Sequence, residues 1–149
     1  MTIRIRQAHP NDTAAVSKLV RTAYAHYVER MGREPTPMTA DYARLIEAGE
    51  VWVAEQANVI VGILVLEVHP DHLLLENIAV SRDVRGTGLG RRLLEFTESF
   101  ARQHNLSEIR LYTNEAMTEN IAYYPRRGYV ETHRAIENGR RRVFFTKHL

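Results

Sequence analysis

The sequence predicts a mixed α/β (α+β) domain built around one sheet. Three observations lead there. Stretches with period-two alternation are interspersed with stretches of helical spacing. A glycine-rich run, Gly86-Thr87-Gly88-Leu89-Gly90, joins a strand pattern to a helix pattern. Near the C-terminus, Asn138-Gly139 separates two alternating stretches as a hairpin turn.

The elements follow in order. Residues 2–7 alternate, with Ile3 and Ile5 opposite Arg4 and Arg6, and read as a strand. Asn11 or Asp12 can cap the helix that follows, whose apolar stripe is Val16, Leu19, Val20, Ala23, Tyr24 and Tyr27. Gly32, Pro35 and Pro37 punctuate the stretch from Arg30 to Thr39, which reads as a loop. A short helix is expected over 40–48, ended by Gly49. Residues 51–54 and 59–66 read as paired strands around Gln56-Ala57-Asn58, and Pro70-Asp71 turns the chain into a strand from Leu73 to Val80. A helix then starts in the glycine run and continues to about Gln103, with Leu89, Leu93, Phe96 and Phe100 on its buried stripe. A strand from Ser107 to Thr113, a short helix over 117–125 and strands over 129–136 and 141–147 complete the chain. No repeat or linker divides it, so residues 1–149 are expected to form one domain.

Composition narrows the function. Cysteine is absent, which excludes a disulfide framework, a zinc ribbon and a cysteine nucleophile. No apolar run approaches membrane-spanning length, and the charged alternation at the N-terminus is unlike a secretory leader, so a cytoplasmic protein without a membrane partner is the expectation. The net charge of +2 suits a polyanionic small ligand and is too weak to argue for nucleic acid.

The glycine run carries the chemistry. Glycines let the backbone approach a ligand closely, successive amides then form an anion-binding nest, and the helix N-terminus adds its dipole. Arg85, Arg91 and Arg92 flank the run and supply full charges. The spacing is not that of a P-loop, which needs a Lys-Ser/Thr ending. Nor is it Gly-x-Gly-x-x-Gly, and the repeated βαβ units of a dinucleotide fold are missing. Glu76 is a second oddity. It is a carboxylate in an apolar strand, sharing a face with Leu74, Ile78 and Val80, and such a group faces either a wet cleft or a splayed sheet edge.

Asn77-Ile78-Ala79-Val80 followed by Arg85-Gly86-Thr87-Gly88-Leu89-Gly90 resembles the acetyl-CoA motif of the GNAT superfamily of N-acetyltransferases. That motif reads Arg/Gln-x-x-Gly-x-Gly/Ala, and Arg85, Gly88 and Gly90 match it. Tyr124-Pro125-Arg126-Arg127-Gly128-Tyr129 resembles the family's Tyr-x-x-x-Gly-Phe/Tyr element. The resemblance covers nearly the whole chain, with its two motifs at about residues 76–94 and 112–130. It implies a central, mostly antiparallel twisted sheet of about seven strands flanked by about four helices. It also implies direct acetyl transfer from acetyl-CoA to a primary amine, without a metal. The backbone of Ile78, Ala79 and Val80 would meet the pantetheine arm and help stabilise the carbonyl oxygen. The loop from Arg85 through Gly86, Thr87, Gly88 and Leu89 to Gly90, with Arg91, would hold the pyrophosphate. Tyr124 would serve the departing thiolate and Glu76 the amine proton. Where the family often has Asn, this chain has Met117; Asn120, on the helical face of Tyr124, either takes over a coenzyme contact or caps a turn. Tyr27, Arg30 and Met38 fall where the family often lines its acceptor site. The expected partners are acetyl-CoA and an amine acceptor, with the protein a monomer or homodimer. The rival reading is a non-catalytic acyl-CoA-binding or sensing module.

Two other clusters read more simply. His69-Pro70-Asp71-His72 contains a turn signal and no third ligand nearby, so a solvated turn is expected rather than a metal site. Arg140-Arg141-Arg142 lacks interleaved aromatics and reads as a solvated hairpin end.

Overall fold

A computed structural model describes residues 2–149; Met1 lies outside the described residues. Seven strands form one sheet in the order β1-β2-β3-β4-β5-β7-β6. In chain order the elements are β1 (Ile3–Gln7), α1 (Thr13–Met31), α2 (Thr36–Thr39), α3 (Tyr42–Glu47), β2 (Val51–Gln56), β3 (Val59–Val68), β4 (Leu73–Val80), α4 (Leu89–Gln103), β5 (Glu108–Asn114), α5 (Thr118–Arg126), β6 (Val130–Glu137) and β7 (Arg140–His148). The β1–β2, β2–β3, β5–β7 and β6–β7 pairs are antiparallel and β4–β5 is parallel. No helix among the described residues is long and apolar enough to cross a membrane.

The sequence pattern predicts about four helices, and five are present among the described residues. The addition is α2, inside the stretch expected to be a loop. Its prolines do not forbid it. Pro35 is the N-cap and Pro37 lies in the first turn, where a missing N–H breaks no intrahelical bond. Helix α1 also runs past its expected end at residue 27, until Gly32 takes a left-handed φ of 74° and donates its N–H to Val28 O.

The chain falls into two compact units. The first contains the residues up to Leu66 and Asn77–Phe96; the second contains Glu67–Glu76 and Thr97–Leu149. In the first unit, Val51 and Val53 of β2, Ile63 and Val65 of β3, Val16 and Val20 of α1, and Tyr42 and Ile46 of α3 form one buried cluster. The alternate residues of the same strands point the other way, toward α4. There Gly62 makes room: a Cβ at Gly62 would come within 3.1 Å of Leu89 and 3.4 Å of Leu93. Both leucines are buried, and each contributes about 2 kcal/mol by leaving water. In the second unit, Ile109 and Leu111 of β5 are buried with Val143 and Phe145 of β7, and Leu111 lies opposite Phe145 in the strand register.

Candidate functional site

Strand β4 alternates in burial: Leu73, Leu75, Asn77 and Ala79 are buried, while Leu74, Glu76, Ile78 and Val80 are half-buried. Only Leu73 and Leu74 of its eight residues register with β5, opposite Ile109 and Arg110. Asn77 is a polar residue in the core, and both ends of its amide are hydrogen-bonded. The Tyr24 hydroxyl donates to Asn77 Oδ1 at 2.6 Å and to Ile78 O at 3.2 Å. Asn77 Nδ2 donates to the Tyr42 hydroxyl at 3.0 Å, and that hydroxyl donates to Pro37 O. This chain of bonds fixes the backbone at Ile78 from the side of α1 and α3. The sequence pattern singles out Glu76 and passes over Asn77, although a polar residue on a buried strand face is the available signal.

After β4 the chain makes a 3₁₀ turn at Arg82–Val84, where the Ser81 hydroxyl accepts from Asp83 N. The Thr87 hydroxyl donates back to Val84 O, so it stabilises this turn. Gly86 and Gly88 then take φ values of 79° and 87°, a region that only glycine enters at little cost. A Cβ at either would meet nothing within 4 Å, so the requirement is backbone conformation and the space beside the loop is open. The first intrahelical bond of α4 runs from Arg92 N to Gly88 O at 3.1 Å. The amides of Leu89, Gly90 and Arg91 therefore precede the ladder and are offered outward by the helix. Leu89's side chain is core, which leaves its amide as the part able to meet a ligand. Arg85 and Arg91 are exposed; Arg91 pairs with Glu95 at 3.3 Å, and Arg92 donates to Ile3 O at 3.1 Å. Two left-handed glycines, three first-turn amides and flanking guanidinium groups fit a pyrophosphate.

Helix α5 belongs to the second unit, and its end has a defined geometry. Tyr129 N donates to Tyr124 O at 3.1 Å and Gly128 N donates to Pro125 O at 3.1 Å. Gly128 has φ of 92°. This is a Schellman stop, with Tyr124 three residues inside the helix end and Tyr129 just beyond it. The two rings supply the apolar contact of that motif, edge to face with centroids 5.6 Å apart. Tyr-x-x-x-Gly-Tyr is thus a helix-stop spacing that buries Tyr124 against Tyr129 and Phe145, the latter at 5.9 Å. Asn120 donates through Nδ2 to Thr113 Oγ1 at 3.2 Å, which ties α5 to the end of β5. Glu76 lies within electrostatic reach of Tyr112, whose hydroxyl is pushed above its ordinary value by burial, with Arg142 opposing the shift from 4.3 Å over the ring. The loop Arg85–Gly90, Arg91 and the Ile78–Val80 strand thus fall in the first unit; Glu76, Asn120 and Tyr124 fall in the second.

The His69–His72 stretch is a closed turn. The two rings stack with centroids 4.4 Å apart, and His69 N donates to His72 O at 2.9 Å. His72 holds the Asp71 carboxyl below its usual range by a 2.8 Å contact.

Comparisons with known proteins follow this geometry. The model of the acetyltransferase (GNAT) family matches residues 15–129. Mouse N-alpha-acetyltransferase 80 is 38% identical over 60 residues, which is 40% of this chain and only 18% of that protein's length. Among solved structures, the PaiA N-acetyltransferase of Thermoplasma acidophilum, in complex with coenzyme A, superposes with a TM-score of 0.76 at 16% identity over 100% of both chains. Arabidopsis thaliana Naa50, in complex with the bisubstrate analogue CoA-Ac-MVNAL, does so with 0.77 at 18% identity, again over 100% of both. At such identities these likenesses establish the fold alone.

Proposed function

Because the chain belongs to the acetyltransferase (GNAT) family, we propose that it transfers an acetyl group from acetyl-CoA directly to a primary amine. The observation that carries this reading is the loop of Gly86 and Gly88, left-handed at both glycines and open beside them. In this reading the amides of Leu89, Gly90 and Arg91, with Arg85, hold the pyrophosphate, and the backbone of Ile78, Ala79 and Val80 receives the pantetheine arm. Gly86, Thr87 and Gly88 shape the loop, and the Thr87 hydroxyl keeps it folded on Val84. Acetyl-CoA supplies an activated acyl group as its thioester. An alkyl amine has a pKa of roughly 10.4, so it needs a base before attack, and Glu76 is the assigned carboxylate. A backbone N–H of the Ile78–Val80 strand donates to the carbonyl oxygen as charge builds. The Tyr124 hydroxyl donates to the leaving sulfur. Asn120 keeps α5 in place through Thr113. PaiA was solved with coenzyme A, Naa50 with the bisubstrate analogue CoA-Ac-MVNAL, and the mouse relative is an N-alpha-acetyltransferase, which supports an amine acceptor without naming it.

Two measurements test the reading. Acetyl-CoA at about 100 times its Kd should stabilise the fold by about 2.7 kcal/mol, raising Tm by several degrees. A shift with NADH and none with acetyl-CoA would sink the proposal. A panel of small amines, amino acids and peptide N-termini should then release CoA thiol with at least one acceptor. Binding of acetyl-CoA with no release across the panel would favour the sensing module.

A further inference from the structure

We propose that Lys147 is the positioning residue for Tyr124, acting through the end of α5. The inference rests on the role assigned to Tyr124 above. That end needs support, because Pro125 has no N–H and removes a bond from the last turn just after Tyr124. The Schellman bonds occupy the carbonyls of Tyr124 and Pro125 and leave those of Arg126 and Arg127 without a helical partner. Lys147 Nζ donates to Arg127 O at 2.8 Å. A cation at a helix C-terminus also meets the negative end of the dipole. The ammonium is held from behind by Glu98 Oε2 at 3.1 Å, and both side chains are about four-fifths buried, with 22% and 20% exposure. Gly128 makes the approach possible, since a Cβ there would stand 3.1 Å from Lys147 Cε and 3.3 Å from Nζ.

Residues 145 and 147 of β7 share one face of the strand. Phe145 supports the Tyr124 ring and Lys147 grips the carbonyl three residues further on. Strand β7 therefore holds the tyrosine-bearing turn at two points, one apolar and one ionic. The ring alone sets how deep Tyr124 sits; the second point sets its angle. Without the ammonium, the turn opens its Schellman bonds more often and loses the constraint on rotation about the Phe145 contact.

The test uses Lys147→Met, which keeps an apolar stem, and Lys147→Arg, which keeps a donor. In the ligand-free protein, amide exchange at Gly128 and Tyr129 should speed up about tenfold in Lys147→Met relative to the amides of β6 and β7, and should recover in Lys147→Arg. With the acceptor found in the amine panel, Lys147→Met should lower kcat about tenfold and leave the KM for acetyl-CoA within about twofold. In a Tyr124→Phe background the same change should have no further effect on kcat. Equal losses of kcat in both backgrounds, or unchanged amide exchange, would overturn the positioning role. A large effect of Tyr124→Phe with none from Lys147→Met overturns this proposal alone and leaves the role of Tyr124 standing. No effect of Tyr124→Phe removes both. If Lys147→Met does not fold, Glu98→Gln carries the same readouts, with smaller changes in the same direction.

Discussion

The Tyr129 hydroxyl is a polar atom in an apolar place. The residue is 2% exposed, and the hydroxyl finds no hydrogen-bond partner among the described residues. Burial is the main cause that pushes its pKa far above the ordinary phenol value, with Tyr124, Glu98 and Tyr123 adding to it. The ring contributes to the helix stop, while the oxygen costs about 1–3 kcal/mol of unreturned solvation. Tyr129→Phe should therefore raise Tm by a few degrees, since about 1 kcal/mol corresponds to roughly 2–4 °C in a chain of this size. A thermal melt showing a lower Tm would mean that the hydroxyl has a partner worth more than its desolvation. The glycine at 128 is the opposite case. Its lack of a side chain is used twice, by the left-handed backbone and by the lysine stem lying against it.

At the scale of elements, the Arg6 guanidinium cross-links β1 to its neighbours. Arg6 reaches Asp12 at 2.8 Å and Glu55 at 2.8 Å, joining β1 to the start of α1 and to β2. The Arg6 hydrogen bond is the main cause that holds the Asp12 carboxyl below its ordinary value; burial opposes it and the His9 amide adds to it. Because the folded value lies below the unfolded one, about 3.9, this stabilisation is complete above that pH. It is lost as the pH falls through the folded value. Asp12→Asn should thus lower Tm at pH 7, and the gap to the native protein should narrow as the pH falls below the unfolded value of about 3.9. A gap that stays constant between pH 3 and 7 would show that the charge contributes nothing.

Elements of this kind were legible where the information is local. All seven strands were legible, by alternation in β1 and β5 and by apolar runs between turn residues in β2 and β3, and Asn138 and Gly139 both take the left-handed φ that an Asn-Gly hairpin requires. The glycine run was legible for the same reason, since its demand on φ is a property of the residues themselves. The position of β7 between β5 and β6 leaves no such local trace. Neither does the meeting of Lys147 with Glu98, 49 positions away, or of Asn77 with Tyr24, 53 positions away. Such pairs are set by tertiary packing. The helix at Thr36–Thr39 was misread because proline breaks a helix only beyond its first turn.

For the whole molecule, the two units are joined by more than a linker. Their boundaries, Leu66/Glu67, Glu76/Asn77 and Phe96/Thr97, fall inside β3, β4 and α4. Melting one half of a shared strand or helix removes support from the half that remains. We therefore propose that residues 1–149 unfold as one domain. Calorimetric and van't Hoff enthalpies should agree in a single transition. Two resolved transitions, or a van't Hoff enthalpy near half the calorimetric one, would count against it.

Gly62 has a bearing on the glycine loop. The strand gives up one methyl there so that Leu89 and Leu93 can seat the first turns of α4, the same turns whose amides open the glycine loop. The depth of that seat sets where those amides lie. On the proposed reading of the glycine loop, position 62 is thus a remote dial on donor binding, at which a change as small as one carbon would shift the amides assigned to the pyrophosphate.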